Sequence, residues 1–232
     1  MSTILKCNNI SKKFKNFYAL ENVNFNIESG RIVGLLGPNG SGKSTFIKLA
    51  TGLLTPEQGN ITINNLPIGY ETKKIVSYLP ERTYLNEDMK VNRLVDMFND
   101  FFEDFDKNKA YEMLQRLNIN PNDNLRKMSK GTKEKVQLIL VMSRNAMLYL
   151  LDEPIGGVDP AARDYILNTI LTNYNENSSI LISTHLISDI EQIIDDVIFI
   201  QNSHIILTSS VDSIREEKGM SVDEYFREVF RC

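Results

Sequence analysis

The 232-residue chain has no tryptophan, two cysteines and two histidines. The cysteines, Cys7 and Cys232, stand near opposite ends and match no metal-ligand or redox spacing. That excludes a disulfide-stapled scaffold and a Cys/His zinc site, and leaves two reduced thiols of a cytosolic protein. Long apolar runs are missing as well. Ala146–Leu151 falls far short of the ~20 residues that span a bilayer. The first residues are polar, and a lysine stands at position six, unlike a secretory leader. No segment is therefore expected to cross a membrane, and a membrane role would need a separate partner. Positive charge is not in excess either. Lys and Arg total 26 against 30 Asp and Glu, a net charge of −4, which gives no electrostatic case for nucleic acid as a partner. What is left is an ordinary globular composition in a chain long enough to bury a full core.

Against that background one motif stands out. Gly37 to Thr45 reads Gly-Pro-Asn-Gly-Ser-Gly-Lys-Ser-Thr, a complete phosphate-binding loop of the form Gly-x-x-x-x-Gly-Lys-Ser/Thr. Its glycines allow successive backbone N–H groups of Asn39, Gly40, Ser41, Gly42 and Thr45 to curl around an oxyanion. Lys43 brings a compact cation to the β- and γ-phosphates, and Ser44 offers a hydroxyl to Mg²⁺. Arg31–Leu36 reads as the strand before the loop and Ser44–Thr51 as the helix after it, with its positive end toward the phosphates. A nucleoside triphosphate is the expected ligand.

The rest of the chain is organised around this loop. Ile4–Phe14, Tyr18–Ile27 and Asn60–Asn64 alternate apolar and polar residues between Asn/Gly turns, and read as a small antiparallel sheet. Ile75–Leu79, Ala146–Leu151, Ser179–Ser183 and Val197–Ile200 read as buried strands of a mostly parallel sheet. Leu85–Ser143 has helical spacing. Val91, Leu94, Val95 and Phe98 share a face, as do Tyr111, Leu114 and Leu117, with a break at Pro121 and Asn122. The fold class is thus α/β, a P-loop NTPase core with an N-terminal antiparallel β subdomain and an inserted α-helical subdomain. The expected division is one domain, 1–232, in which 1–84 and 144–232 form the nucleotide-binding core and 85–143 the helical insert.

The insert separates Lys43 from a second half-site. Met147–Pro154 is an apolar strand ending in Asp152 and Glu153. A carboxylate at the carboxyl end of a parallel strand stands where ligands of open α/β sheets bind. Asp152 can hold Mg²⁺ and Glu153 can polarise an attacking water. His185 follows the apolar run Ile180–Ser183 and reaches the same edge, facing the γ-phosphate. His204 has no such context and reads as an ordinary surface or core residue.

Together these elements resemble the ATPase (nucleotide-binding) domain of ABC transporters, over essentially the whole chain and in the same order. The resemblance implies ATP and Mg²⁺ as cofactors. It places Asp159, in Gly157–Asp159, in the D-loop, and implies an adenine-stacking role for Phe14, with Tyr18 as competitor. It departs at two points. The signature Leu-Ser-Gly-Gly-Gln is replaced by Met128-Ser-Lys-Gly-Thr132, which keeps Ser129 and Gly131 for contact with a γ-phosphate. The Q-loop glutamine is replaced by Glu81, a candidate Mg²⁺ ligand. Both departures resemble the ABC-2-type exporters, among which ATPases that export phenol-soluble modulins and antimicrobial peptides look most similar. The tail Ser221–Phe226 resembles the short acidic-aromatic helix that ends such chains.

The resemblance further implies a head-to-tail homodimer, or a heterodimer with a second ABC ATPase, in which Ser129 and Gly131 act on the other protomer's nucleotide. Glu153, His185 and Lys43 would be catalytic. The partner would be an integral membrane permease on a separate chain, and the site of work the cytoplasmic face of the cell membrane. Docking is expected near Tyr84, Leu85, Met89, Phe98, Phe101, Phe102 and Phe105, most of which individually read as core. The alternative is a soluble ABC ATPase not tied to transport, such as an iron–sulfur cluster assembly ATPase.

Overall fold

Period-two patterning shapes the first third of the chain in the computed structural model, which describes residues 2–156, 160–174 and 177–230. Thr3–Phe14 (β1) and Phe17–Glu28 (β2) pair antiparallel, with Phe14 opposite Phe17 across a tight turn that holds Lys15 at a φ of 55°. Gln58–Ile63 (β4) adds to the other edge of β1, and Leu66–Pro67 (β5) to β4. Asn64 and Asn65 both take positive φ at the β4–β5 turn, a conformation asparagine tolerates better than most residues.

The second sheet is built from Ile32–Leu36 (β3), Val76–Leu79 (β6), Leu148–Asp152 (β7), Ser179–Thr184 (β8), Asp196–Gln201 (β9) and His204–Ser210 (β10). Its order is β10-β9-β3-β8-β7-β6, parallel except for the β9–β10 edge pair. Successive side chains go to opposite faces. Val33, Leu35, Leu148, Leu150, Leu181, Ile198 and Ile200 pack toward the antiparallel sheet and the helix Lys43–Ala50 (α1). Ile32, Leu36, Tyr149, Leu151, Ile180, Ile182 and Phe199 pack on the opposite face, toward the remaining helices. Both faces being covered explains why these strands read as unbroken apolar runs rather than alternations. The short helix Tyr70–Ile75 (α2) takes Ile75, which reads from sequence as the first residue of β6.

Between β6 and β7 lie Val91–Phe101 (α3), Lys107–Arg116 (α4), a 3₁₀ turn at Leu125–Lys127 and Lys130–Met142 (α5). Val91, Leu94, Val95 and Phe98 form the buried stripe of α3, each worth roughly 1.5–3 kcal/mol if wholly removed from water. Asp106 caps α4 by accepting from the Lys109 N–H, and Ser129 caps α5 by accepting from the Thr132 N–H. α5 begins at the surface and is buried from Val136 to Met142, so it runs from the signature residues into the core. Pro160–Asn173 (α6), Ile187–Ile190 (α7), Val211–Lys218 (α8) and Val222–Phe230 (α9) complete the described residues. α6, α8 and the edge strand β10 are not evident from the sequence patterns. The tail does form a helix, in which Phe226 and Phe230 stack on each other at 4.0 Å and lie 5.3 and 5.9 Å from the Phe199 ring of β9.

Candidate active site

The loop between β3 and α1 is fixed by backbone contacts that only glycine permits. Gly42 has a φ of 115°, and a Cβ there would stand 2.4 Å from the Ala19 carbonyl oxygen. Gly42 also caps α1 without a side chain, which leaves the first-turn N–H groups available to an anion. Lys43 is 5% exposed; its Nζ donates to the carbonyls of Gly37 (2.7 Å) and Pro38 (3.2 Å) and lies 3.4 Å from Glu153. Ser41 Oγ is buried with no hydrogen-bond partner, an orphan polar atom inside a loop otherwise built to receive oxyanions.

The ends of β7 and β8 supply the opposing wall. Asp152 is 1% exposed, and its Oδ1 accepts from Ser44 Oγ at 2.9 Å and Ser183 Oγ at 2.7 Å. Burial raises its carboxyl pKa; the two hydroxyls oppose the rise, and the neighbouring charges of Glu81 and Glu153 add to it. Such a group favours a proton or a metal cation over bare ionisation, and a carboxylate paired with a serine hydroxyl is a hard-oxygen donor set suited to Mg²⁺. Glu153 sits at φ 50°, a left-handed conformation that costs on the order of 1–3 kcal/mol for a non-glycine residue and clusters at functional sites. Its N–H donates to the carbonyl (3.0 Å) and hydroxyl (3.1 Å) of Ser183, and its Oε2 lies 3.1 Å from His185 Nδ1. Gly156 completes the bend, because a Cβ there would stand 3.2 Å from the Glu153 carbonyl oxygen.

One cavity of 1080 Å³ brings Phe14, Asn39, Gly40, Gly42, Lys43, Ser44, Thr45, Glu81, Glu153 and His185 together. Asp152 lies beneath it through Ser44. Ser129 and Gly131 do not line it; Lys130, Lys133 and Glu134 from the same helix do, and Lys133 pairs with Glu87 at 2.6 Å. Asp159 lies outside the described residues. His204 is exposed, its Nδ1 2.8 Å from the Asn202 carbonyl oxygen. Sequence reasoning missed three contributors. Phe17 faces the cavity beside Phe14, whereas Tyr18 does not, and the signal was a second aromatic across a two-residue turn. Ser183 was visible only as the hydroxyl near the end of an apolar strand. Gly156 was visible only as part of the turn after Pro154.

A second concavity, 610 Å³, opens on the other side of the segment 80–84. Tyr84, Phe98 and Phe102 line it, with Lys48, Lys73, Arg82 and Arg144 as its charged residues and no carboxylate among the described lining. The guanidinium of Arg144 is already held by Asp104 at 2.9 Å and stacks 4.0 Å over the Phe102 ring. Of the residues expected near a docking surface, Tyr84 and Phe101 are exposed, and Leu85, Phe98 and Phe105 are buried. Met89 and Phe102 are partly buried against the core.

Known proteins resemble this chain in sequence and in fold. A family model described as ABC transporter matches residues 20–156. The chain is 31% identical over 231 residues to the ABC-type transporter ATP-binding protein EcsA of Bacillus subtilis (strain 168), covering 90% of each. It is 29% identical over 235 residues to the SkfA peptide export ATP-binding protein SkfE of the same organism, covering 98% of this chain and 96% of the relative. A solved structure of an ATP-binding subunit of an ABC transporter superposes with a TM-score of 0.88 at 28% identity, covering 98% of this chain and 99% of that one. The chain belongs to the ABC transporter family, as an ATP-binding subunit and an ATPase.

Proposed function

We propose that this chain energises an exporter of amphipathic or antimicrobial peptides or drugs, through an integral membrane permease on a separate chain. The observation that carries this reading is the likeness to a peptide export ATP-binding protein along nearly its whole length. No helix of the described residues is long and apolar enough to cross a membrane, in keeping with a permease supplied from outside. The chain then works as one ATPase domain, 1–232, on the cytoplasmic face of the membrane. Residues 1–84 and 144–232 form its core and 85–143 its helical insert. Two copies, or this chain and a second ABC ATPase, close around two ATP.

In this reading the loop N–H groups and Lys43 bind the β- and γ-phosphates. Ser44 and Asp152, joined by Glu81, hold Mg²⁺. Bound there, Mg²⁺ neutralises charge on the phosphate oxygens. Glu153, held by Ser183 and beside His185, takes a proton from the attacking water, and His185 contacts the γ-phosphate. Phe14 carries the adenine. Ser129, exposed at the start of α5, and the half-buried Gly131, together with Asp159, serve the other protomer's nucleotide. The apolar concavity flanked by cations receives the permease.

The test is capture of tagged chain carrying Glu153→Gln from gently solubilised membranes with ATP and Mg²⁺. A multi-span membrane protein in fixed stoichiometry is the expected companion. Recovery with soluble proteins alone would overturn the transport reading.

A further inference from the structure

The two concavities share one wall. Glu81, Arg82 and Thr83 line the nucleotide cavity, and Pro80, Arg82 and Tyr84 line the apolar one. This wall has little framework of its own. It follows the end of β6, and between Pro80 and Leu85 no backbone-to-backbone hydrogen bond holds the chain among the described residues. What holds it is one side chain from α5. Gln137 Nε2 donates to the Pro80 carbonyl at 3.3 Å, and Thr83 Oγ1 donates to Gln137 Oε1. The two anchored residues bracket Glu81 and Arg82.

Gln137 is 3% exposed and stands among Val136, Leu138, Ile139, Leu140 and Val141. A buried amide is costly unless both its ends are satisfied, and here both ends serve this one segment. Plain packing at such a position would be met by an apolar residue of the same volume. One turn further along α5, Val141 lines the apolar concavity and accepts from Ser77 Oγ at 2.9 Å, so the helix grips β6 as well as the wall.

We infer that Gln137 is a positioning residue that sets where Glu81 stands in the nucleotide cavity, and so links the metal side of that cavity to α5 and to the apolar concavity. The inference rests on the reading of Glu81 as a member of the metal site. Glu81 lines the same cavity as Ser44, whose hydroxyl donates to Asp152 at 2.9 Å.

Gln137→Met keeps the volume and removes both hydrogen bonds; Thr83→Val removes one and leaves Gln137 in place. Three measurements decide: binding of a fluorescent ATP analogue titrated with Mg²⁺, amide hydrogen exchange across 80–84, and Tm. Gln137→Met is expected to bind the analogue normally in EDTA. Its half-saturating Mg²⁺ should rise about tenfold, the scale of lost support around a metal ligand, and its 80–84 amides should exchange faster. Thr83→Val should move both readouts the same way by less. In a Glu81→Ala background, which itself should raise half-saturating Mg²⁺, Gln137→Met should add little, because coupled residues are not additive. A Gln137→Met protein with lowered Tm and wild-type Mg²⁺ titration would mark the amide as merely structural and overturn the inference. If Gln137→Met does not fold, Thr83→Val decides alone, and a wild-type titration there overturns it. An unchanged titration in Glu81→Ala would instead remove the reading of Glu81 itself, and the inference with it.

Discussion

The two concavities are opposites across a wall five residues thick in sequence, 80–84. The nucleotide cavity mixes charges of both signs, with Lys43 against Glu153 at 3.4 Å and a buried Asp152 beneath. Its neighbour is apolar, and its charged residues are all cations. Cross-braced groups of both signs suit chemistry, because they hold each other in place before the substrate arrives. Apolar rings beside cations of one sign suit a partner surface that is itself apolar and carries carboxylates. In the function proposed above, the difference gives chemistry to one side and recognition to the other, with Gln137 behind the wall between them.

The largest expected effect breaks the chemical side alone. Glu153→Gln keeps the size of the side chain and loses the base. Turnover in a phosphate-release assay should fall by about 10²–10⁴, the usual contribution of a positioned general base, with ATP still bound. Near-wild-type turnover would take the base role from Glu153, and with it the contrast between the cavities.

The next effect strikes the recognition side. Lys48→Glu with Lys73→Glu reverses two of the four cations without entering the nucleotide cavity. Recovery of a membrane partner in the capture experiment should drop about tenfold, equivalent to ~1.4 kcal/mol of association free energy. Binding of a fluorescent ATP analogue, read on the same sample, reports whether the nucleotide cavity is intact. Undiminished recovery would mean that the cations do not meet the partner.

The two sides also differed in how legible they were. The loop at Gly37–Thr45 is contiguous, so the residues that make its geometry are neighbours in the chain. The Asp152–Glu153 strand end and His185 were legible because buried parallel strands are unbroken apolar runs, and the residue at each carboxyl end is easily counted. What stayed hidden depends on contacts between distant segments. Ser183 matters because it meets Asp152, and Gln137 because it meets Pro80 and Thr83, across separations of 31, 57 and 54 positions. The cationic concavity draws on α1, α2, α3 and α5, and no local periodicity announces it. The docking residues split because an aromatic stripe on a helix gives no sign of which ring faces the core: Phe98 is 6% exposed and Phe101 76%.

A smaller effect sharpens the chemical side. Phe14 and Phe17 lie opposite each other at the β1–β2 turn, 45% and 60% exposed, and both line the nucleotide cavity. A base stacked on an aromatic ring is worth about 1–3 kcal/mol, so losing the ring that carries adenine should weaken ATP at least about fivefold. Phe14→Ala is expected to do so in equilibrium binding. If Phe17→Ala does it instead, the platform is Phe17.

The smallest effect is on stability, and its sign distinguishes a site built for function from one built for packing. The folded pKa of Asp152 is raised, chiefly by burial. The folded state therefore takes up a proton before the unfolded state does as pH falls. Stability from this group is present below its ordinary pKa and is lost as pH rises through the raised one. At neutral pH, above its ordinary pKa, the nucleotide-free protein thus keeps this buried carboxyl at a cost. Asp152→Asn removes the charge, and its amide oxygen can still accept from Ser44 and Ser183. Its Tm without nucleotide should exceed that of the wild type by a few degrees at pH 7. The advantage should shrink as the pH is lowered through the raised pKa toward the usual carboxylate value. A Tm below wild type at pH 7 would mean that the two serines already stabilise the charged form enough. The nucleotide cavity would then hold its carboxylate without strain, as an ordinary polar core does.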